Sequence, residues 1–306
     1  MNVVSSPTKS KGAALILALA ALLSSSQALA AVQAVVPHLD HVVVVIMENK
    51  SYNQARVQAY TASLMAAGSY CSNSSAVTHP SQPNYIALWA GSTLGVTNDI
   101  CPAPGSPFSA ENLGHACETA GLTWRAYSED LSAASSVLCT NNGGLYTRKH
   151  DPWTNFNNLN HFNERPYSDL ALDIAANTLP NLVFVIPNNC NNTHNCTLAV
   201  GDTWLSNNIP ALVTAAGPTG CVILTWDEDD SASFNRILTV FAGPAVNTGF
   251  VSPGAVTHYN VLRTICDALG LAPFGNAASA TPITDIWVPT IGVESHAWGS
   301  VKSLYR

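Results

Sequence analysis

The segment His41-Val42-Val43-Val44-Val45-Ile46-Met47 is the strongest indication of the fold class, and it is followed at once by Glu48-Asn49. Apolar, mostly β-branched residues without polar alternation are typical of a strand buried on both faces, as in a parallel sheet covered by helices. Shorter runs of the same kind, each bounded by turn or polar residues, predict four more buried strands at 122–127, 182–187, 221–226 and 237–242.

Segments with the spacing of apolar residues that is typical of helices lie between these strands. They predict helices at 51–67, 83–89, 110–120, 168–177, 202–216 and His258–Leu269. Strands that alternate with helices predict an α/β fold, an α/β/α sandwich around a mostly parallel central sheet.

Metal-type ligands follow three of the predicted strands. Glu48 and Asn49 follow the first strand, an Asn-rich loop at 188–194 follows the third, and Asp227-Glu228-Asp229-Asp230 follows the fourth. Open α/β sheets bind ligands beyond the carboxyl ends of their strands, so we expect these side chains to share one rim of the sheet.

The acidic residues on this rim predict one bound divalent metal ion, with Glu48, Asn49, Asp227 and Glu228 as its ligands. Neighbouring carboxylates repel one another unless a cation intervenes, and hard divalent ions prefer oxygen ligands. A solvated acidic turn at 227–230, and a helix cap at Asn49, are the structural alternatives. Glu48 at the edge of an apolar strand favours the metal, because an unpaired carboxylate there is costly.

Ser81 lies in Thr78-His79-Pro80-Ser81-Gln82-Pro83-Asn84-Tyr85, where Pro83 suits the first turn of a helix. Ser81 could simply cap that helix. A hydroxyl beside a helix N-terminus and a metal could instead be a nucleophile, since the helix end can hold a phosphoryl oxygen and the cation lowers the hydroxyl pKa.

Three histidines are candidates for proton transfer to a leaving group: His258 at the start of a predicted helix, His194 in the Asn-rich loop, and His150 after two basic residues. A lone histidine is more often a capping or packing residue. We expect His258 and His194 to matter more than His150.

The beginning of the chain has the pattern of a signal peptide. Lys9 and Lys11 precede an apolar run at 13–23, and Ala28-Leu29-Ala30 resembles a cleavage site. We therefore expect a signal peptide at 1–30 with cleavage near Ala30, one domain at 31–306, and a secreted or periplasmic protein.

Cysteine content agrees with an oxidising compartment. All eight cysteines lie after the predicted cleavage site, and an even number predicts four disulfides. Cys190 and Cys196 flank a short loop, so we expect them to pair with each other.

Charge limits the classes of partner. Twelve basic and nineteen acidic residues give a formal net charge of −7, and removal of Lys9 and Lys11 makes the mature chain more acidic still. Such a chain is not expected to bind nucleic acid. No basic amphipathic helix is evident, so no stable membrane association is expected either.

Four blocks together resemble the phosphoesterase family of acid phosphatases and bacterial phospholipases C. They are the stretch from His41 through Glu48-Asn49 to Tyr52, the Ser81 segment, Thr225-Trp226-Asp227-Glu228, and His258-Tyr259-Asn260-Val261-Leu262-Arg263. The family is similar to the alkaline-phosphatase-like superfamily. The resemblance implies that superfamily's α/β/α fold, a phosphoesterase catalytic domain over 31–306, and Ser81 as a transiently phosphorylated nucleophile beside the metal.

The resemblance also implies substrate-binding residues on the phosphate side, namely Asn84, Glu129 and Lys149. This sequence departs from the family at two positions. Asn192 stands where the family usually has Asp, and Asn195 stands where it often has Asp. A second metal at this loop is therefore not expected.

Together these features predict a metal-dependent phosphatase of acid phosphatase type whose partner is a small phosphate ester. The first alternative is a phospholipase C-type phosphodiesterase. The alternative of another class is an exported calcium-binding protein without catalysis.

Overall fold

The computed structural model describes residues 1–3 and 35–289. The predicted signal peptide therefore lies almost wholly outside the described residues. The strands are β1 (His41–Met47), β2 (Ser69–Ser75), β3 (Trp124–Ser128), β4 (Thr140–Asn141), β5 (Tyr146–Thr147), β6 (Glu164–Pro166), β7 (Leu182–Ile186), β8 (Gly220–Trp226), β9 (Arg236–Ala242) and β10 (Phe250–Thr257).

The α-helices are α1 (Tyr52–Ala55), α2 (Ala59–Ala67), α3 (Ser81–Ala90), α4 (Leu113–Thr119), α5 (Ser168–Ala175), α6 (Leu198–Ala216) and α7 (His258–Leu269). Short 3₁₀ turns occupy Asn142–Gly144, Arg148–His150, Pro152–Asn155, His161–Asn163 and Gly275–Ala278. Among the described residues, no helix combines the length and the apolar character that a membrane span needs.

One sheet of eight strands organises the chain, in the order β10-β2-β9-β8-β1-β7-β3-β6. Its strands pair in parallel except at β9, which is antiparallel to both of its neighbours. The predicted α/β/α sandwich with a mostly parallel sheet is thus confirmed. The strands β4 and β5 form a separate antiparallel pair.

The valine run of β1 supplies both hydrophobic cores. Val42, Val44 and Ile46 contribute to a core with residues of α3, α4 and α7. Val43, Val45 and Met47 contribute to the core on the other face, with residues of α1, α2, α5 and α6. Successive side chains of a strand point to opposite faces, so a strand covered on both sides needs apolar residues throughout.

Two parts of the predicted pattern need correction. The helix predicted at 51–67 is two helices, α1 and α2. The edge strands β6 and β10 and the strand β2, whose sequence SYCSNSS has no apolar run, were not predicted. Their backbone pairing, rather than an apolar surface, places them in the sheet.

The prediction of four disulfides is wrong, although the predicted Cys190–Cys196 bond is confirmed. One further disulfide joins Cys101 to Cys139. The other four cysteines are free and buried in one hydrophobic core: Cys71, Cys117, Cys221 and Cys266. They act there as small apolar side chains, a common role of buried cysteine.

Candidate active site

Glu48 and Asp227 meet because β1 and β8 run parallel and in register. Met47 pairs with Trp226 at the ends of these strands, and the amide of Asp227 donates to the Met47 carbonyl oxygen at 3.0 Å. Both carboxyl groups are buried, with 0% of Glu48 and 1% of Asp227 exposed. The predicted common rim of the sheet is what the structure contains.

Asn49 ties the two strand ends together. Its backbone N–H donates to Asp227 Oδ1 at 3.0 Å, and its side-chain amide donates to Glu228 Oε1 at 2.8 Å. Its backbone is left-handed, with φ +46°, a conformation that Asn adopts more readily than most residues. Asn49 therefore links both acidic strand ends, and it is not an N-terminal helix cap.

Ser81 lies between two of these carboxylates. Its hydroxyl oxygen is 3.1 Å from Glu48 Oε2 and 3.2 Å from Glu228 Oε1. Helix α3 begins at Ser81, with Pro80 in the cap position, and Asp99 Oδ1 accepts the bond from the Gln82 amide at 2.9 Å. Ser81 is thus not the N-cap, which was the structural alternative for this residue.

The Asn-rich loop fixes the backbone of Glu48 rather than adding acidic groups. The Asn192 carbonyl oxygen accepts the Glu48 amide at 2.9 Å, and the Thr193 hydroxyl donates to the Glu48 carbonyl oxygen at 2.8 Å. Thr193 has φ +80°, which is rare for a β-branched residue. The loop, closed by the Cys190–Cys196 bond, holds this conformation against its cost.

A second group of side chains contacts the other oxygen of Glu48. The Tyr85 hydroxyl donates to Glu48 Oε1, and His150 Nε2 lies 3.2 Å from the same atom. The rings of Tyr85 and His150 stack with centroids 5.0 Å apart. Burial and the nearby Glu48 charge raise the pKa of Tyr85, so its hydroxyl remains a donor.

The three predicted histidines have different surroundings. His150 is buried beside Glu48, and burial lowers its pKa well below the usual value. His258, the first residue of α7, is buried too; burial lowers its pKa to about 4, and its Nε2–H donates to the Asp227 carbonyl oxygen at 2.7 Å. His194 is exposed, its Nδ1 is 2.7 Å from Asn195 Oδ1, and its ring centroid is 6.3 Å from that of His150. His150, which the sequence ranked last, is the one that contacts the carboxylate cluster through its side chain.

A fourth histidine was missed. His79 Nδ1 lies 2.5 Å from Glu228 Oε2 and its Nε2 lies 3.3 Å from Asp229 Oδ1, while 37% of its side chain is exposed. Its place two residues before Ser81 was the available signal. Tyr85 was missed as well, although it follows Ser81 by one helical turn.

Two of the three predicted substrate-binding residues have other contacts. Asn84 accepts the amides of Val77 and Thr78, both at 3.0 Å, and so holds the segment before Ser81. Glu129 accepts bonds from the Asn188 amide at 2.9 Å, from Asn191 Nδ2 at 2.8 Å and from Trp204 Nε1 at 2.8 Å. Both side chains hold neighbouring loops in place.

Lys149 is closer to the cluster. Its Nζ lies 2.8 Å from Asp99 Oδ2, the residue that binds the first turn of α3. Burial by itself lowers the pKa of Lys149, but the carboxylates of Glu48 and Asp99 raise it above its usual value. A charged amine is therefore held near the N-terminus of the Ser81 helix.

Comparison with known proteins agrees with this arrangement. The model of the phosphoesterase family matches residues 54–272, which is more than half of the chain. The chain belongs to the phosphoesterase family. As a phosphoesterase, it is a hydrolase that acts on phosphoric ester bonds.

Two proteins with different names are similar in sequence to this phosphoesterase. It is 40% identical over 257 residues to a phosphatidylinositol-3-phosphatase of Mycobacterium tuberculosis, a match that covers 82% of this chain and 84% of the relative. It is 27% identical to the phosphate-repressible acid phosphatase of Penicillium chrysogenum, over 77% of this chain and 60% of the relative. The chain thus spans less than two thirds of the fungal enzyme.

Solved structures share the fold of this phosphoesterase. A protein of the alkaline phosphatase superfamily from Vibrio parahaemolyticus matches with a TM-score of 0.61 and 8% identity, over 82% of this chain and 71% of that one. The lipoteichoic acid synthase LtaP of Listeria monocytogenes matches with a TM-score of 0.55 and 10% identity, over 83% and 76%. These likenesses confirm the alkaline-phosphatase-like fold.

The carboxyl groups of the phosphoesterase site are held close together, and no arginine within residues 35–289 forms an ion pair with them. Burial, together with the charge of Asp227, raises the pKa of Glu48 well above its usual value. Burial and Glu228 raise the pKa of Asp227 to about 7, and burial raises that of Glu228 to about 7. A cation would reverse these shifts, because it favours the charged carboxylates.

Oxygen atoms suited to such a cation are present. Asp227 Oδ2 and Asn49 Oδ1 are buried and have no hydrogen-bond partner among the described residues. An orphaned buried polar atom is costly, and a metal ion would satisfy both. Within 35–289, no three His, Cys, Asp or Glu side chains already form a coordination cluster. Both oxygens of Glu48 are instead engaged by Ser81 and Tyr85, and Glu228 Oε1 is engaged by Ser81 and Asn49. Glu228 Oε2 lies 2.5 Å from His79 Nδ1. The donor set of carboxylate and amide oxygens fits a hard divalent ion.

Proposed function

We propose that this phosphoesterase is an exported acid phosphatase that hydrolyses small phosphate monoesters with one divalent metal ion and with Ser81 as nucleophile. The observation that carries the proposal is the position of the Ser81 hydroxyl, 3.1 Å from Glu48 and 3.2 Å from Glu228. Ser81 thus places a hydroxyl group in contact with the acidic residues that follow both β1 and β8.

Glu48, Asn49, Asp227 and Glu228 would hold the ion. When bound, the ion supplies charge that lowers the pKa of a nearby hydroxyl and offsets negative charge on the phosphoryl oxygens. The orphaned oxygens of Asp227 and Asn49 support this assignment.

The residues then divide the reaction between them. The Ser81 hydroxyl gives its proton to one of the two carboxylates that it contacts, and its oxygen forms a bond to phosphorus as the P–O bond to the leaving alcohol breaks. A histidine protonates that alcohol. Water then attacks the phosphoserine, which releases phosphate and restores the hydroxyl.

Solvent access decides which histidine suits the proton transfer. His79 and His194 are exposed, whereas His150 and His258 are buried and neutral. A donor to the leaving alcohol must lie on the side from which the substrate enters. We therefore assign the proton transfer to His79 or His194, and a positioning role to His150 and His258.

Binding of the phosphate is assigned to the N-terminus of α3 and to Lys149. Backbone N–H groups at a helix N-terminus and a nearby ammonium group both favour an anion. The Lys149–Asp99 pair at 2.8 Å places that ammonium beside the first turn of α3.

Export is supported by two kinds of observation. The first 30 residues have the charge and hydropathy pattern of a signal peptide. The two disulfides, Cys101–Cys139 and Cys190–Cys196, are typical of proteins in oxidising compartments.

A lipid phosphate monoester is the second candidate substrate, and one surface favours it. Ile100, Val137 and Leu138 flank the Cys101–Cys139 bond and are 59%, 69% and 50% exposed. The Ile100 carbonyl oxygen accepts Gln82 Nε2 at 3.0 Å, so this apolar surface adjoins the residue that follows Ser81. The relative named phosphatidylinositol-3-phosphatase is consistent with it.

The test is a substrate panel on the purified protein. Nitrophenyl phosphate, a short-chain phosphatidylinositol 3-phosphate and phosphatidylcholine are compared by kcat/KM, with Ser81→Ala as the inactive control. We expect nitrophenyl phosphate to have the highest kcat/KM. A preference of more than about tenfold for the phosphoinositide, or ~1.4 kcal/mol in transition-state binding, would favour the second candidate instead. The same preference for phosphatidylcholine would favour a phospholipase C. If the protein binds calcium but hydrolyses none of these esters, the result would favour the alternative of a calcium-binding protein without catalysis.

A further inference from the structure

The two oxygens of the Glu48 carboxylate have different partners. Oε2 accepts a hydrogen bond from Ser81 at 3.1 Å. Oε1 accepts the hydroxyl of Tyr85 and has His150 Nε2 at 3.2 Å. One oxygen thus faces the reacting hydroxyl, and the other contacts two side chains to which no bond-making or proton-transfer step is assigned.

Helix α3 carries both the serine and the tyrosine. Ser81 and Tyr85 are four residues apart, a spacing that places two side chains on the same face of a helix. Every residue of α3 is buried. A helix packed on all sides cannot easily rotate, so the spacing between the two hydroxyl groups is fixed by the backbone.

The tyrosine ring is also immobilised. Tyr85 is 2% exposed and stacks on His150 with an interplanar angle of 21°. The Nδ1 atom of His150 lies 3.1 Å from the Thr147 hydroxyl, which holds that ring in turn. The hydroxyl that contacts Glu48 Oε1 therefore sits on a rigid support.

We propose that Tyr85 is a positioning residue for the metal ligand Glu48, because it binds Oε1 and so keeps Oε2 directed toward Ser81 and the metal. This inference rests on the proposed metal site. Hydrogen bonds from surrounding residues orient metal-binding carboxylates, and their loss typically lowers metal affinity by about 10–100-fold.

A matched control exists elsewhere in the sheet. The Tyr127 hydroxyl donates to Asp173 Oδ2 at 2.5 Å, and Tyr127 is 0% exposed. Like Tyr85, it is a buried tyrosine whose hydroxyl donates to a carboxylate. None of its hydrogen bonds involves Ser81, Glu48, Asp227 or Glu228. Loss of either hydroxyl removes one such bond, so a general effect on folding should appear in both variants.

The experiment is a calorimetric titration of the chelated, dialysed full-length mature protein with Mn²⁺, for wild type, Tyr85→Phe and Tyr127→Phe. We expect the Kd for Mn²⁺ to rise by about 10-fold or more in Tyr85→Phe and to stay within about twofold of wild type in Tyr127→Phe. At saturating Mn²⁺ most of the lost turnover should return. An unchanged Kd in Tyr85→Phe, or an equal rise in both variants, would overturn the inference.

A double-mutant cycle covers the case in which Tyr85→Phe perturbs the fold. If Tyr85 acts through Glu48, then adding Tyr85→Phe to Glu48→Gln should raise the Kd by less than about twofold beyond Glu48→Gln alone. Independent, additive effects would overturn the inference. If wild type binds no divalent ion, both the proposed metal site and the inference are wrong. If wild type binds Mn²⁺ and Tyr85→Phe has the same Kd, only the inference is wrong.

Discussion

Two carboxylate sites in this protein each accept a hydrogen bond from a tyrosine, yet they differ in charge balance. One is Asp173 alone, and the other is the cluster of Glu48, Asp227 and Glu228. Asp173 accepts hydrogen bonds from Tyr127 and Arg125; these lower its pKa, although burial alone acts in the opposite direction. The cluster of Glu48, Asp227 and Glu228 has no arginine partner among the described residues, and its pKa values are raised. Asp173 thus has a cationic partner within the fold, whereas the carboxyl groups of Glu48, Asp227 and Glu228 have the charge balance that the proposed metal site would need.

The largest expected effect comes from removing the proposed nucleophile, the Ser81 hydroxyl beside Glu48 and Glu228. Ser81→Ala should lower kcat for nitrophenyl phosphate by about 10³-fold or more, since it removes the hydroxyl that contacts both Glu48 and Glu228. Ser74→Ala removes a buried hydroxyl that bonds Thr239 at 2.9 Å, and it should keep near wild-type turnover. A mass spectrum of acid-quenched wild type should show phosphate on Ser81. Its appearance on another residue would remove Ser81 from the mechanism.

Removal of the cation is the next test. Chelation should abolish turnover and lower the melting temperature, and divalent ions should restore both. An ion present at 100 times its Kd stabilises the folded state by about 2.7 kcal/mol, or roughly 5–10 °C for a domain of this size. Asp173→Asn should show the same metal-dependent shift as wild type. Full turnover after exhaustive chelation would contradict the comparison.

The two groups should also respond to pH with opposite signs. In the metal-free protein, the raised pKa of Asp227, about 7, stabilises the fold below the unfolded-state pKa and loses that contribution as pH rises through 7. The effect is on the order of a few kcal/mol. Urea unfolding of chelated wild type and Asp227→Asn at pH 5 and pH 7 measures it. Wild type should lose stability toward pH 7 and the variant should lose less; parallel curves would count against the assignment.

The smallest effect is expected at Asp173. Because its pKa is lowered, Asp173 stabilises the fold above the unfolded-state pKa and loses that contribution as pH falls. Asp173→Asn should lower the free energy of unfolding at pH 7 by about 1 kcal/mol and leave kcat/KM unchanged. A loss of activity comparable with that of Asp227→Asn would erase the distinction between the two groups.

The amino-acid sequence was sufficient to locate the centre of the sheet and the edge that carries the candidate site. The valine run of β1 requires cover on both faces, and the residues that follow β1 and β8 must emerge at one edge because parallel strands end together. Glu48 and Asp227 could therefore be placed side by side before any coordinates. Ser81 could be placed near them only through the resemblance to a family, since its local sequence equally suits a helix cap.

Tertiary structure alone decided the partners of these groups. A polar strand such as β2 is held by backbone pairing, which leaves no apolar pattern to read. The contacts of Tyr85 and His79 with the acidic residues depend on how α3 packs against the sheet, and the uses of Asn84 and Glu129 depend on loops that fold beside them. Periodicity along a chain reports burial, whereas a hydrogen-bond partner far away in sequence is fixed only when the elements pack together.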